Sequence, residues 1–160
     1  MPDIKPFRGI LYNPQKIKFG KVVAPPYDVI SPQQQTELYE RDPHNIVKLI
    51  LNRDEDRYTS SARLFENWRK ENILTMDDEP AMYILSQSFS LPDNTPVERR
   101  GFIAACRLEE IGKGSILPHE KTHSKPKEDR LRLFQATDAM FSQIFHWLDA
   151  GGDGTSLACG

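Results

Sequence analysis

The sequence contains only two cysteines, Cys106 inside an apolar run and Cys159 near its end. So small a number excludes a disulfide framework and a paired Cys-x-x-Cys metal knuckle, and a reducing compartment is expected. The chain also lacks an apolar stretch of signal-peptide length at its start, and nowhere do about 18 apolar residues run together. We therefore expect a cytoplasmic protein that does not enter a membrane.

An excess of charge of either sign is missing too. The chain has 21 basic and 23 acidic residues and a formal net charge of -2. Such a balance creates no overall field that would draw the protein onto nucleic acid, so a nucleic-acid partner is not expected. The length of 160 residues suits one domain of ordinary size with a real core, and oligomeric state stays open.

Local signals predict three helices. Ser31 followed by Pro32 is typical of an N-cap and a first-turn proline, which predicts a helix over residues 32–40. Apolar residues spaced three and four apart predict a second helix over residues 58–71: Tyr58, Ala62, Phe65 and Trp68. A third helix is expected over residues 126–138.

Apolar and β-branched runs predict strands over residues 22–24, 45–51 and 144–148, and an extended segment over residues 7–12. Alternating residues on both sides of a Pro-Asp-Asn-Thr-Pro turn predict a hairpin of residues 81–90 and 97–108. The run at 102–106 is typical of a central strand covered on both faces. Together these elements predict an α+β fold with a central mixed sheet and about three helices. One domain is expected over residues 1–150, and residues 151–160 are expected to be a loop or the start of a further region.

His119, Glu120 and His123 match the His-Glu-x-x-His pattern, which places two imidazoles one helical turn apart on zinc. Pro118 and Pro126 restrict any helix here to under about two turns, and no third ligand is evident nearby. We therefore predict no metal ligand, and a zinc hydrolase is only one alternative. The other is a polar loop in which His119 or Glu120 caps the following structure.

A basic segment follows, and it holds five cations within twelve residues: Lys121, Lys125, Lys127, Arg130 and Arg132. A basic loop that leads into a helix N-terminus is typical of phosphate sites, although a solvated charged face is the common alternative. On a helical wheel Arg130 lies inside the inward-facing arc marked by Leu131, Leu133, Phe134 and Thr137, whereas Arg132 faces away. A buried arginine needs an anion, and the candidates are Asp28, Glu120 and Asp129.

Asp28 ends the stiff segment Pro25-Pro26-Tyr27-Asp28, in which two prolines fix the backbone. Its carboxylate is either a structural turn residue or a fixed group at the mouth of a cleft.

Several segments together resemble the bacterial and archaeal proteins grouped as domain of unknown function 1015. They are Ile4-Lys5-Pro6-Phe7, Ala24-Pro25-Pro26-Tyr27-Asp28-Val29-Ile30, residues 45–51, Trp68, Arg100-Gly101-Phe102, Pro118-His119-Glu120-Lys121-Thr122, Pro126-Lys127-x-Asp129-Arg130-Leu131 and Ile144-Phe145. The resemblance implies a relationship to ParB and sulfiredoxin-like proteins. It also implies a longer protein, in which a later Asp-Gly-His-His-Arg stretch, absent here, handles nucleotide.

The resemblance implies a protein that binds a nucleotide or a phosphorylated metabolite, with nucleotide-dependent phosphoryl transfer as the expected activity if it is an enzyme. Phosphate-binding residues would then be Arg130, Lys127, Lys121 and Thr122. His119 and Glu120 would transfer protons or contact Mg²⁺ bound with the nucleotide, and Asp28 would be an orienting carboxylate. The alternative is a non-catalytic ParB-like regulator that binds DNA or protein.

Overall fold

Helices cluster in the first half of the chain, and most strands follow them, in a computed structural model that describes residues 2–110, 113–114, 116, 124–144, 146–149 and 156–159. The helices in these residues are α1 (Phe19–Val22), α2 (Pro32–Arg41), α3 (Val47–Ile50), α4 (Arg57–Lys70) and α5 (Ser124–Thr137), with a 3-10 helix at Tyr27–Val29. The strands are β1 (Ile4–Lys5), β2 (Ile10–Tyr12), β3 (Leu74–Met76), β4 (Tyr83–Ser90), β5 (Pro96–Ile103), β6 (Ala105–Cys106), β7 (His146–Asp149) and β8 (Ser156–Cys159). The predicted α+β class is confirmed.

The strands form three small sheets rather than one central sheet. The pairs β1-β6 and β2-β3 are separate two-stranded sheets, and the third sheet has the order β4-β5-β8-β7. That third sheet is mixed, because β5 and β8 are parallel while the other neighbours are antiparallel. Strand β8 lies beyond residue 150 and pairs with β5 and β7. No helix in the described part of the chain is long and apolar enough to cross a membrane.

The chain divides into two compact units, each built from separate stretches of sequence. The first unit comprises residues 1–9, 77–120 and 143–160, and the second comprises residues 10–76 and 121–142. Each unit is described below by itself.

In the first unit, the predicted hairpin is confirmed as β4 and β5. The run at 102–106 is not one central strand, because the strand ends at Ile103 and the exposed pair Ala105–Cys106 turns to β1 instead. Before the hairpin, the Tyr83 hydroxyl accepts a hydrogen bond from the Gly9 backbone N–H at 2.7 Å and donates one to the Asp77 carboxylate. A side chain at position 9 would collide with Tyr83, since a Cβ there would lie 2.5 Å from its hydroxyl oxygen.

The second unit is organised around one apolar core. Its buried members are Leu49, Phe65, Trp68, Ile73 and Leu74, and α4 supplies two of them from the predicted apolar stripe. Strand β2 and the residues that follow α5 contribute half-buried residues to it: Ile10, Tyr12, Ala139 and Phe141. The helices α2, α4 and α5 were predicted with nearly correct bounds. The predicted Ser31 N-cap is confirmed by a bond that its side chain accepts from the Gln34 N–H at 3.2 Å.

Neither strand predicted in the second unit is present: residues 45–51 contain α3, and of residues 22–24 Val22 ends α1 while Val23 is extended without a strand partner among the described residues. The cause is Asn45, which is fully buried. Its side-chain oxygen accepts from the Val47 N–H at 3.0 Å and so starts a helical turn. Its amide group donates to the carbonyls of Lys21 and Val23 at 2.7 and 3.1 Å, which fixes the end of α1 against the start of α3.

Candidate functional site

Four of the predicted site residues lie outside the described residues: His119, Glu120, Lys121 and Thr122. His123 does as well, so the zinc pattern and the loop before α5 stay predictions. The other three, Asp28, Lys127 and Arg130, belong to the second unit. In the part of the chain that the structure describes, no three His, Cys, Asp or Glu residues group so as to hold a metal ion.

Arg130 is held from several sides. Its guanidinium lies over the Tyr27 ring, with 4.1 Å between the guanidinium carbon and the ring centre. Its Nη2 donates to the Ile50 carbonyl at 2.8 Å, and its Nε donates to Asp129 Oδ2 at 3.0 Å. The side chain is 21% exposed, against 58% for Arg132. The prediction that Arg130 faces inward and Arg132 outward is confirmed, and of the three candidate anions the partner is Asp129.

Asp129 joins Arg130 to the start of α4. Its Oδ1 accepts a hydrogen bond from the Tyr58 hydroxyl at 2.9 Å and forms an ion pair with Arg57. Arg57 Nη2 also donates to the Tyr58 hydroxyl at 2.7 Å. One carboxylate therefore holds two arginines and a tyrosine. We call these four residues, with Tyr27, the Arg130 cluster: Tyr27, Arg57, Tyr58, Asp129 and Arg130.

The ionised form of Asp129 is favoured in this setting. Burial by itself would raise the pKa of Asp129, but hydrogen bonds from Arg130 and Tyr58 and the two positive charges outweigh burial and lower that pKa below its ordinary value. The pKa of Arg57 is raised, chiefly by its hydrogen bond to Tyr58. The cluster thus carries two positive charges and one negative charge at neutral pH.

One hydrogen-bond donor of the cluster lacks an acceptor among the described residues. Arg130 Nη1 is buried and has no hydrogen-bond partner among the described residues. Arg130 lines a narrow cleft together with Asn52, Arg57, Tyr58, Ser61 and Asp129, and this cleft has room for no more than about one water molecule. A buried donor without a partner is unfavourable by about 1–3 kcal/mol, so this atom is suited to donate a hydrogen bond to an oxygen that enters the cleft.

Lys127 and Asp28 lie beside the cluster along the chain but do not join its hydrogen bonds. Lys127 is exposed and comes three residues before Arg130, on the same side of α5. Asp28 is exposed in the 3-10 helix, directly after Tyr27, and no hydrogen bond to another described residue fixes its carboxylate. Two residues of the predicted inward arc are instead exposed, Leu131 at 54% and Phe134 at 42%, because the buried stripe of α5 runs through Leu133 and Thr137.

Comparison with known proteins decides the family. The model of a family described as a protein of unknown function, DUF1015, matches residues 4–156. The chain belongs to the DUF1015 family. No curated protein matches it. No solved structure matches it either, so the relationship to ParB and sulfiredoxin-like proteins stays a prediction.

Sequence reasoning missed two of the five cluster residues in this DUF1015 chain. Arg57 and Tyr58 gave no signal, because Tyr58 fitted the apolar stripe of α4 and Arg57 is one of many surface arginines. Both contact Asp129 across more than 70 positions of sequence, a distance over which no local pattern reaches. The sequence offered one sign only, the adjacent charges Asp129 and Arg130 in an amphipathic helix. Such a pair indicates that the element packed against this helix carries charge as well.

Proposed function

We propose that this chain binds a small phosphorylated molecule through the Arg130 cluster. The observation that carries the proposal is the buried Nη1 atom of Arg130, which has no partner among the described residues while Tyr27, Asp129 and Ile50 fix the rest of the side chain. An arginine whose position is fixed before binding loses little entropy when it donates a hydrogen bond to a ligand oxygen. Guanidinium groups are well matched in shape to phosphate oxygens.

Charge favours an anion here. Arg57 and Arg130 share the single carboxylate of Asp129, so one positive charge remains uncompensated within the cluster. Lys127, exposed and three residues earlier in α5, adds a mobile cation on the same side of the helix. In this proposal Asp129 positions the arginines, while the surplus charge attracts the ligand.

The small cleft limits how the ligand enters. Because it has room for no more than about one water molecule, a single ligand oxygen reaches Nη1 and the remainder of the molecule stays outside. A terminal phosphate presents such an oxygen at its tip, whether on a nucleotide or on a phosphorylated metabolite. Lys127 is placed to contact the other phosphate oxygens.

The proposal extends to nucleotide-dependent phosphoryl transfer, a reaction that depends on positioning and on charge stabilisation. His119 and Glu120 are the proposed proton-transfer or magnesium-linked groups, and Lys121 and Thr122 the further phosphate contacts. Asp28, which directly follows the ring that supports Arg130, is the proposed orienting carboxylate. Magnesium would arrive bound to the nucleotide.

A thermal-shift panel tests the binding step. The 160-residue chain is heated with ATP, ADP, CTP, phosphoserine or inorganic phosphate, each with and without magnesium. A ligand at about 100 times its dissociation constant stabilises the fold by about 2.7 kcal/mol, which raises Tm by several degrees. We expect a shift with at least one phosphorylated compound.

Variants locate the site. Arg130→Lys and Lys127→Ala should reduce the ligand-induced shift, whereas Arg132→Ala, which removes a charge from the exposed side of the same helix, should leave it unchanged. Lys127→Ala controls for a general loss of folding, because Lys127 is exposed and makes no hydrogen bond or ion pair with another described residue. Equal shifts in all three variants, or no shift with any compound, would show that the cluster is structural.

A further inference from the structure

Strand β4 forms one edge of the four-stranded sheet of the first unit. The strand order is β4-β5-β8-β7, so β5 covers one side of β4 and no strand in the described residues pairs with the other. Alternate residues along that outer side present backbone N–H and C=O groups without strand partners. Such an edge is a template for pairing with another chain.

This edge lacks the features that normally prevent pairing. From Tyr83 to Ser90 the sequence is Tyr-Ile-Leu-Ser-Gln-Ser-Phe-Ser, without a charged residue or a proline. All eight residues pair with β5 in one unbroken register, so no bulge twists the strand away. Natural edge strands are usually short, charged, bulged or interrupted by proline.

Apolar side chains also accompany the open edge. Ile84 is 87% exposed and Phe89 is 45% exposed, and Met82 and Leu91 at the two ends of the strand are exposed as well. A single exposed apolar residue on a surface is ordinary, but four along one edge strand and its two ends are typical of an interface.

We propose that β4 pairs with β4 of a second copy of this chain, antiparallel and about a two-fold axis through Gln87. In this register Leu85 lies opposite Phe89 of the second copy, and Ser86 lies opposite Ser88. The strand is uncharged, so no like charges meet across the axis. Every contact occurs twice, as a two-fold interface requires, and the two four-stranded sheets become one continuous sheet.

The sequence of the strand favours a second copy over an unrelated extended peptide. When the strand meets itself in the opposite direction about Gln87, Leu85 faces Phe89 and Ser86 faces Ser88, so residues of like character meet on both sides of the axis. Aromatic and aliphatic pairs of this kind stabilise antiparallel strands.

Sedimentation velocity over a wide range of concentration tests the proposal. We expect the 160-residue chain to form a dimer. Ser88→Lys places a charge at the paired edge and should raise the dimer dissociation constant by about tenfold or more. Pro92→Lys adds the same charge in the hairpin turn, off the strand, and should leave dimerisation unchanged. Circular dichroism verifies that both variants fold.

Cross-linking then tests the register. In a chain whose native Cys106 and Cys159 are replaced by serine, Gln87→Cys should form an intermolecular disulfide. Residues opposite each other on antiparallel strands are about 4.5–5.5 Å apart, within reach of that bond. Ser90→Cys, which faces Ile84 in this register, should remain reduced. A chain that stays monomeric at every concentration, or a dimer that survives Ser88→Lys without the Gln87→Cys cross-link, overturns the proposal.

Discussion

The Nη2 atom of Arg130 donates to the backbone carbonyl of Ile50 at 2.8 Å, so a side chain of α5 closes the C-terminal end of α3. A helix leaves its last carbonyls without partners inside the helix. Here neighbouring elements supply the donors: Ser61 of α4 bonds the Leu49 carbonyl at 2.9 Å, and Gln35 of α2 bonds the Leu51 carbonyl at 2.7 Å. A helix of four residues persists because three longer helices bind its end.

Arg130→Lys should destabilise the chain by about 1–2 kcal/mol, because lysine cannot bond Asp129 and Ile50 in the same planar arrangement. The matched change Arg132→Lys should alter stability by less than about 0.5 kcal/mol, since its partner Glu128 is exposed. Urea unfolding followed by circular dichroism measures both. Equal losses in the two variants would contradict a role of Arg130 in binding α3.

Asp129→Asn should remove stability in a pH-dependent way. The pKa of Asp129 is lower in the folded state than its ordinary value of about 3.9, so its contribution is present above that value and is lost as pH falls through the lower folded pKa. At neutral pH we expect a loss of about 1.5–3 kcal/mol. Unfolding curves collected downward from pH 7 should converge for the two proteins as pH falls through the folded pKa of Asp129. A difference that stays constant with pH would mean that the charge of Asp129 contributes nothing.

Gly9→Ala should destabilise the first unit by about 1–3 kcal/mol, because the new methyl group overlaps Tyr83 and displaces the hydroxyl that bonds Gly9 and Asp77. Gly20→Ala is the control. Nothing lies within 4 Å of a Cβ at Gly20, in α1, so alanine there should be neutral or stabilise by up to about 1 kcal/mol. Thermal unfolding of the two variants separates the collision at Tyr83 from a general effect of replacing glycine.

Asn45→Ala should reduce the free energy of unfolding by at least about 2 kcal/mol, because it leaves two carbonyls and the Val47 N–H without their partner in the interior. Asn67→Ala, at an exposed position of α4, should change stability by less than about 0.5 kcal/mol. Chemical denaturation measures both values. A loss at Asn45 no larger than at Asn67 would show that α1 and α3 do not depend on this side chain.

Elements with local signals were predictable from the sequence. Ser31 and Pro32 mark the start of α2 by their own chemistry, and the spacing of Phe65 and Trp68 defines the buried face of α4. Residues 45–51 have the composition of a strand, yet they turn into α3 because Asn45 is buried against α1 and because distant side chains bind the final carbonyls. That outcome depends on residues up to 80 positions away, which composition cannot reveal.

In the candidate site, too, the sequence predicted the features that have a local signal and missed those that depend on packing between helices. The inward orientation of Arg130 followed from helical periodicity, and its partner was one of three carboxylates named in advance. The participation of Arg57 and Tyr58 could not be foreseen, because it depends on how α4 packs against α5. The exposure of Leu131 and Phe134 also departs from the periodic pattern, since α5 buries a narrower stripe than its apolar residues suggest.

The discontinuous make-up of the second unit affects how it is made on the ribosome. Residues 10–76 supply most of its core, but Leu133, Ala139 and Phe141 arrive only with residues 121–142. A nascent chain that ends after β6 therefore carries α3 without the arginine that closes it, and Arg57 and Tyr58 without Asp129. The whole β4-β5 hairpin of the first unit is synthesised in between, and hairpins form within microseconds, far faster than translation adds residues. The Arg130 cluster is thus assembled late, only after that hairpin has had time to form.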